Sequence, residues 1–354
     1  MIAWRERGVL AALGAALLFG AGTPAAKLLL GPVSPWLLAG LLYLGSGIGL
    51  ALIRACRSNE PVQFQSGEIK WLIAATVTGG MIAPALLMWG LSRMAASGVS
   101  LLLNAEGVFT ALLAWFVFRE NFDRRIALGM AFIVAGAVVL SWPGGALLRM
   151  QWENLLPTLA VLGACLAWAI DNNFTRKVSL TDATFITMVK GLAAGATNLL
   201  LALMAGASLP SLQIAAAAGL LGSVSYGVSL ALFVVALREL GTARTGAYFS
   251  TAPFAGALIA TIFLGESVTP QLISAGSLMG VGVWLHLTER HEHHHAHELM
   301  AHSHEHAHDI PDPHHQHTHA EPVAPGTRHA HVHGHEPITH THPHYPDAHH
   351  DHKH

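Results

Sequence analysis

Residues 98–118 read GVSLLLNAEGVFTALLAWFVF, an apolar run of 21 residues that contains one charged side chain, Glu106. As a helix, a run of this length crosses the hydrocarbon core of a bilayer, which is about 30 Å thick. Similar runs, without the period-2 alternation of an outer-membrane barrel, occur nine more times, at about 9–30, 36–53, 71–90, 126–142, 155–174, 184–205, 214–236, 246–264 and 271–288. The sequence therefore predicts an all-α integral membrane body of ten transmembrane helices, numbered here as spans 1 to 10 in chain order.

The composition excludes several classes of protein. Hydrophobic residues make up 52% of the 354 residues and charged residues only 11%, against roughly 25% charged in a soluble domain. The lipid bilayer is therefore the expected partner of the body. The two cysteines form no CxxC motif, which leaves a disulfide framework or a structural zinc site unsupported. No basic stripe with interleaved aromatic residues is present, so no nucleic-acid partner is expected.

The end of span 4 is repeated in span 9. The residues ALLA at 111–114 run five residues to Glu120, and ALIA at 257–260 run five residues to Glu266, an offset of 146 in both cases. Five spans in each copy is an odd number, so the second copy is expected to lie inverted in the membrane. This divides the chain into a first five-helix repeat at 1–145, a second at 150–288 and a C-terminal tail at 289–354.

Basic residues in the short connections predict the orientation. With the N-terminus inside the cell, the outside loops hold only Arg93 and Arg149, while the inside loops hold Arg54, Arg57, Lys70, Arg119, Arg124, Arg125, Arg176, Lys177, Arg238 and Arg244. We expect a multi-pass protein of the inner (plasma) membrane with both termini in the cytoplasm.

The repeated pattern resembles the EamA-type drug/metabolite transporters. The likeness covers about residues 9–288 and rests on Ala-Leu-x-Ala-x5-Glu at the ends of spans 4 and 9, together with Phe19-Gly20, Lys27, Trp168-Ala169 and Arg176. It implies ten helices in two inverted five-helix repeats, cytoplasmic ends and export of small metabolites by a protein that is not an enzyme. Span 4 departs from the family, because Gly107, preceded by Glu106, stands where the second repeat has Pro253.

Four charged residues lie within the predicted spans: Lys27, Glu106, Asp171 and Lys190. Each costs about 2.5–3.5 kcal/mol at the bilayer centre, so none is expected to face lipid. We predict two ion pairs at two depths, with Glu106 on the transport pathway and paired with a cation such as Lys27. The alternative is that these pairs hold the bundle together, or that Lys27 and Asp171 extend their polar ends from the helix ends toward water.

Spans 1 and 6 carry residues that weaken a helix at corresponding places. Span 1 contains Gly20-Ala-Gly22-Thr23-Pro24, and span 6 contains Asp171-Asn172-Asn173. Interrupted helices in two inverted halves point to a binding site near the midplane, although helix packing alone also selects small residues. The predicted pathway residues are therefore Thr23, Pro24, Lys27, Glu106, Asp171, Asn172, Asn173 and Lys190.

The tail has a different chemistry. Of the 25 histidines, 24 lie within 291–354, with nine acidic and two basic residues. Nothing there forms a hydrophobic core, so disorder is expected without metal. Alternate residues of an extended chain project the same way, and imidazole binds zinc, nickel and cobalt. The predicted ligands are His304, His306, His308, His317, His319, His329, His331, His333, His335, His340, His342 and His344. No cofactor is expected for the body.

Three functions fit these observations. The first is a secondary exporter of a small polar organic solute or a metal chelate, with a cytoplasmic metal-binding tail. The second is an exporter of divalent nickel, cobalt or zinc fed by the tail, and the third is a membrane-anchored metal buffer that transports nothing. Two interior lysines oppose a bare divalent cation as substrate, and an anchor requires neither interior charges nor repeats. The chain has no nucleotide-binding P-loop, so a gradient or exchange must supply the energy; a homodimer is compatible with this architecture.

Overall fold

The computed structural model describes two compact units, Met1–Glu289 and Arg290–His354. In the first unit, called the body, it describes residues 2–56, 68–118, 124–142, 152–176, 182–240, 245 and 248–288. In the second unit, called the tail, it describes four short strands at 292–296, 300–306, 329–335 and 339–343.

Thirteen α-helices and two π-helical segments form the ten spans within the described part of the body. Spans 1 and 2 are α1 (Ile2–Leu29) and α2 (Pro35–Ala55), and the others are α3 (Glu68–Ala75), a π-helical segment (Thr76–Ile82) and α4 (Ala83–Arg93) in span 3; α5 (Ala96–Leu102) and α6 (Ala105–Phe118) in span 4; α7 (Arg124–Ser141) in span 5; α8 (Trp152–Arg176) in span 6; α9 (Ala183–Met204) in span 7; α10 (Leu212–Gly222), a second π-helical segment (Ser223–Val228) and α11 (Ser229–Leu240) in span 8; α12 (Ala252–Phe263) in span 9; and α13 (Pro270–Leu287) in span 10.

Seven of these helical stretches are long and apolar enough to cross a membrane, and three shorter apolar helices complete the set. The short ones are Ala127–Ser141, Ala252–Phe263 and Pro270–Leu285. The body is therefore an all-α, multi-pass integral membrane fold, as predicted.

The packing of the spans has an internal twofold pattern. Span 2 packs on span 7, and span 5 packs on span 10. Span 1 packs on spans 8 and 9, while span 6 packs on spans 3 and 4. Exchanging spans 1–5 with spans 6–10 reproduces the same set of neighbours, so the two five-helix repeats share one packing pattern. Because each repeat has five spans, an odd number, the second copy lies inverted.

Spans 2 and 7 meet at small residues. A Cβ atom added to Gly191 would lie 2.8 Å from the backbone nitrogen of Gly47, and one added to Gly195 would overlap the backbone of Leu44. Such close backbone contact is how helices associate in lipid, where burial of apolar surface supplies no net driving force.

Asp182 caps the start of α9. Its Oδ1 accepts hydrogen bonds from the backbone N–H groups of Thr184 at 2.8 Å and Phe185 at 3.3 Å, and Arg54 at the end of α2 forms an ion pair with it. Burial acts to raise the pKa of Asp182, but the hydrogen bonds from Arg54, Phe185 and Thr184 outweigh it and hold this pKa below its usual value.

The expected breaks in spans 1 and 6 are absent. Helix α1 continues through Pro24, and α8 is one uninterrupted helix from Trp152 to Arg176. A membrane helix tolerates a proline because neighbouring groups satisfy the freed carbonyl. The irregular segments lie instead in spans 3 and 8, and the offset of 146 aligns Gly79 in one with Ser225 in the other.

A hydroxyl side chain begins each π-helical segment. Thr76 Oγ1 donates to Leu72 O at 2.7 Å, and Ser223 Oγ donates to Gly219 O at 2.9 Å. In each case a side chain at the start of the π-helical segment bonds the carbonyl four residues earlier, which competes with the helical amide and bends helices.

The tail differs from the disorder expected for it where it is described. Strand β1 (Glu292–Ala296) pairs antiparallel with β4 (Thr339–Pro343), and β2 (Met300–His306) pairs antiparallel with β3 (His329–His335). The His-x-His alternation suits extended chain, because each histidine then recurs on the same face of a strand. Of the predicted metal ligands, His308, His317, His319 and His344 lie outside the described residues.

Candidate functional site

The π-helical segment of span 3 is surrounded by polar side chains from other spans. The carbonyl of Gly79 accepts hydrogen bonds from Tyr43 Oη and Trp168 Nε1, both at 2.9 Å. The carbonyl of Gly80 accepts one from Asn198 Nδ2 at 3.1 Å. Spans 2, 6 and 7 therefore satisfy carbonyls of the segment, as backbone groups inside a membrane require.

An ion pair lies against the same segment. Lys190 Nζ of span 7 lies 2.5 Å from Asp171 Oδ1 of span 6, and the two side chains are only 13% and 8% accessible. Thr175 Oγ1 donates to the same aspartate oxygen at 2.9 Å and lies 3.2 Å from Lys190 Nζ. A Cβ atom at Gly79 would overlap the Asp171 carboxylate, so the glycine makes room for the pair. This pair is one of the two that the sequence predicts.

The second predicted pair is not formed. Glu106, in the first turn of α6, accepts a hydrogen bond from Asn172 Nδ2 of span 6 at 2.8 Å. Among the residues that the structure describes, no cation forms a salt bridge with Glu106. The carboxylate is half-buried and its described hydrogen-bond partner is a neutral amide.

Lys27 binds the end of a helix instead. Its Nζ donates to Leu91 O at 2.5 Å and to Met94 O at 2.7 Å, where span 3 ends. Carbonyls at a helix C-terminus lack helical partners and carry partial negative charge, which makes them good acceptors for an ammonium. Glu106 lies ten residues beyond the start of α5 at Ala96, roughly 15 Å along span 4, which puts it out of reach.

Glu266 binds the start of span 4 next to the end of span 3 that Lys27 binds. These contacts of Lys27 and Glu266 are called the helix-end clamp below. Its two carboxylate oxygens accept hydrogen bonds from the backbone N–H groups of Ala96 at 2.6 Å and Ser97 at 2.8 Å, which begin α5. Glu266 also attracts Lys27 electrostatically. Glu266 therefore satisfies backbone amides at the start of a helix.

A row of aromatic rings extends from Tyr43, beside the π-helical segment of span 3, toward the second repeat. Tyr43 and Tyr226 have ring centroids 5.9 Å apart, Tyr226 and Phe19 are 5.6 Å apart, and Phe19 and Phe249 are 5.3 Å apart. Phe233 continues the row at 4.9 Å from Phe249. The rings come from spans 1, 2 and 8 and, for Phe249, from the residues just before α12, and each is only half-buried. The row, called the aromatic row below, therefore lies between helices and keeps accessible surface.

The remaining predicted pathway residues take less prominent places. Thr23 and Pro24 are buried in α1, next to Gly22, which packs against Ser225 of the second π-helical segment. Asn173 Nδ2 donates to Ala169 O at 2.8 Å and so stays within its own helix.

Sequence reasoning missed Tyr43, Trp168, Asn198 and the aromatic row as parts of the site. The signal for Asn198 was available, because an amide in the middle of an apolar span needs an internal partner.

The arrangement offers hydrogen bonds, one internal ion pair and one additional carboxylate. Among the described residues, no group of three or more His, Cys, Asp and Glu side chains is placed to hold a metal ion.

Comparison with known proteins gives a family match. The EamA-like transporter family matches residues 6–142 and again residues 155–288. A solved structure with 18% sequence identity has a TM-score of 0.60 and covers 79% of this chain and 98% of its own, which shows a shared fold.

Three relatives are similar in sequence. An "Uncharacterized transporter" of Methanothermobacter thermautotrophicus is 28% identical over 78% of this chain and 85% of its own length. A "Probable amino-acid metabolite efflux pump" of Salmonella typhimurium is 26% identical over 80% of this chain and 95% of its own. A probable 4-amino-4-deoxy-L-arabinose-phosphoundecaprenol flippase subunit of Pseudomonas fluorescens is 33% identical over 30% of this chain and 91% of its own.

Proposed function

The chain belongs to the EamA-like transporter family, and we propose that it is a secondary exporter of a small polar organic solute or a metal chelate. The transporter class follows from the family and from relatives named as a transporter and an efflux pump. The solute, the direction and the gradient that drives export are parts of the proposal.

One observation carries the proposal: charged and amide side chains from different spans meet inside the described body. Asp171 and Lys190 form an ion pair, and Glu106 meets Asn172, both on residues of the membrane-spanning helices. Ionisable groups at such depth are costly to insert and mark solute pathways. A protein that served only to anchor its tail would need none of them.

Two further observations support an organic solute. The relative from Salmonella typhimurium is named for amino-acid metabolites. The described body also lacks a cluster of ligands that could hold a metal ion, so an exporter of bare nickel, cobalt or zinc has less support.

Efflux from loaded membrane vesicles tests the proposal. Vesicles that contain the full chain are loaded with radiolabelled amino acids, amines or chelates, and efflux is compared with that of vesicles without the protein. Glu106→Gln is expected to reduce efflux strongly while membrane insertion remains. Equal efflux from protein-containing and protein-free vesicles for every solute class would contradict the proposal.

We also propose that the tail binds several zinc, nickel or cobalt ions on the cytoplasmic side and modulates transport. The strand register supports this, because His302 lies opposite His333, His304 opposite His331 and His306 opposite His329. Directly opposed residues of an antiparallel pair have Cα atoms about 4.5–5.5 Å apart, so the register places histidines of the two strands opposite one another.

Titration calorimetry of the full chain and of a chain ending at residue 290 tests the tail proposal. Several ions are expected to bind to the full chain at pH 7.5, and binding should fade below about pH 6, because protons displace metal from imidazoles whose unperturbed pKa is near 6.5. Unchanged metal binding after truncation would overturn it, as would protease protection that places the tail outside the cell.

A further inference from the structure

We infer that the transported solute is an organic amine whose ammonium group binds Glu106 and whose apolar part lies along the aromatic row. The inference rests on the proposed function, since it names the class of solute that the exporter takes. Two observations support it. Glu106 is the interior charged residue without a described cationic partner, and the aromatic row lies near it.

Three of the four charged side chains already have an ion-pair partner or helix-end carbonyls bound to them within the described body. Asp171 and Lys190 neutralise each other at 2.5 Å. Lys27 is held by two helix-end carbonyls and is attracted by Glu266. Glu106 remains, with a neutral amide as its partner.

The carboxylate of Glu106 has an oxygen to spare. Asn172 donates to Oε1, and no described hydrogen bond reaches Oε2. Oε2 is also absent from the buried side-chain atoms that lack a hydrogen-bond partner, so it keeps accessible surface. An accessible carboxylate oxygen inside a membrane is favourable only when a cation or a strong donor binds it. An ammonium group supplies three donors and the opposite charge.

The aromatic row is linked to this carboxylate by a short series of contacts. Tyr43 Oη donates to Gly79 O at 2.9 Å, and the Asp171 carboxylate packs against Gly79. Asn172, the next residue along the chain, donates to Glu106 at 2.8 Å, while the Tyr43 ring is 5.9 Å from that of Tyr226. Aromatic faces attract ammonium groups and also bury apolar surface. A carboxylate at the end of a row of half-buried rings therefore matches an amine with an aromatic or branched apolar body.

Other charge types fit less well. A solute carboxylate bound beside Asn172 would meet two acidic side chains, Glu106 and Asp171, and like charges repel. The interior cation Lys190 is already bound by Asp171 and Thr175. The amino group is therefore the part of the solute that the site recognises, and a carboxylate on the same molecule weakens binding.

Three phenyl compounds of similar shape test this inference. Phenethylamine carries the ammonium alone, phenylalanine adds a carboxylate, and phenethyl alcohol has no charge. Binding to the purified full chain is measured by calorimetry at pH 7.5. The amine is expected to bind about 10- to 100-fold more tightly than the alcohol, the difference that one charged hydrogen-bonded contact makes, and more tightly than phenylalanine.

Two variants locate the effect. Glu106→Gln should reduce the amine to the affinity of the alcohol, and Glu106→Asp should retain a preference for the amine if the Gln variant does not fold. Glu266→Gln, the same chemical change at the helix-end clamp, should keep the full preference. Undiminished amine binding by a folded Glu106→Gln variant overturns the inference.

The outcomes also separate this inference from the proposed function. If phenylalanine or the alcohol binds as well as the amine and is exported from vesicles, the amine inference fails while the exporter stands. If the full chain exports no organic solute of any charge, both fail.

Discussion

The buried ion pair between Asp171 and Lys190 gives a prediction whose size follows from the structure. Asp171→Asn removes the negative charge but leaves the Lys190 ammonium, which is 13% accessible, with Thr175 as its remaining described partner. Removing one member of a buried pair typically costs about 3–5 kcal/mol. At roughly 2 °C for each kcal/mol in a protein of this size, the melting temperature should fall by about 6–10 °C.

Thermal unfolding of the purified protein in detergent, followed by tryptophan fluorescence, measures this effect. Lys190→Met should cost a similar amount, and the double variant Asp171→Asn with Lys190→Met should lose less than either single variant, because neither charge is then left alone. Arg54→Ala is the comparison variant, since its partner Asp182 is 36% accessible although Arg54 is 12% accessible, and a partly exposed pair should lose less stability than the buried one. Additive losses in the double variant would refute the reasoning.

Three shorter predictions concern groups around the site. Gly79→Ala should destabilise the protein by about 1–3 kcal/mol, because the added Cβ would overlap the Asp171 carboxylate. Gly219→Ala is the control, since an added Cβ there meets nothing within 4 Å. Equal melting temperatures of the two variants would contradict the prediction. The pKa of Asp182 is lowered in the folded protein. Its carboxylate therefore stabilises the fold at pH values above the unfolded pKa near 3.9, and this stabilisation is lost as the pH falls. The native chain should melt at a higher temperature than Asp182→Asn at pH 7, with a difference that shrinks below about pH 4, and a constant difference would argue against this. Glu266→Gln should cost about 1–2 kcal/mol, since it weakens two charge-assisted hydrogen bonds to backbone amides; chemical unfolding measures it, and an unchanged unfolding midpoint would show that the clamp contributes nothing.

The number of spans, the inverted repeat and the Asp171–Lys190 pair could be predicted from the sequence. Hydropathy over 20 residues is a local property, and the repeat was visible as one offset along the chain. The pair was predictable because two opposite charges at a similar depth of adjacent spans each need a partner inside a membrane.

The partner of Lys27 and the position of the irregular helices could not be predicted in the same way. The choice of Lys27 between the carboxylate of Glu106 and the carbonyls of Leu91 and Met94 depends on how deep each group lies, which a sequence fixes only to within a helical turn or two. The π-helical segments depend on which carbonyls neighbouring side chains can reach, and the rings of the aromatic row meet only once spans 1, 2 and 8 are packed. These are properties of three or more helices together.

The two π-helical segments occupy matching places in the repeats but have different surroundings: amide, indole and phenol donors and an ion pair in one, aromatic rings in the other. In a duplicated transporter with identical halves, the states open to opposite sides of the membrane would be related by a twofold rotation and have equal free energy. Because the two π-helical segments have different surroundings, the two states need not have equal free energy. Gly79 and Ser225 share a position in the repeat but have different neighbours, and we expect such differences to decide the side toward which the empty protein rests.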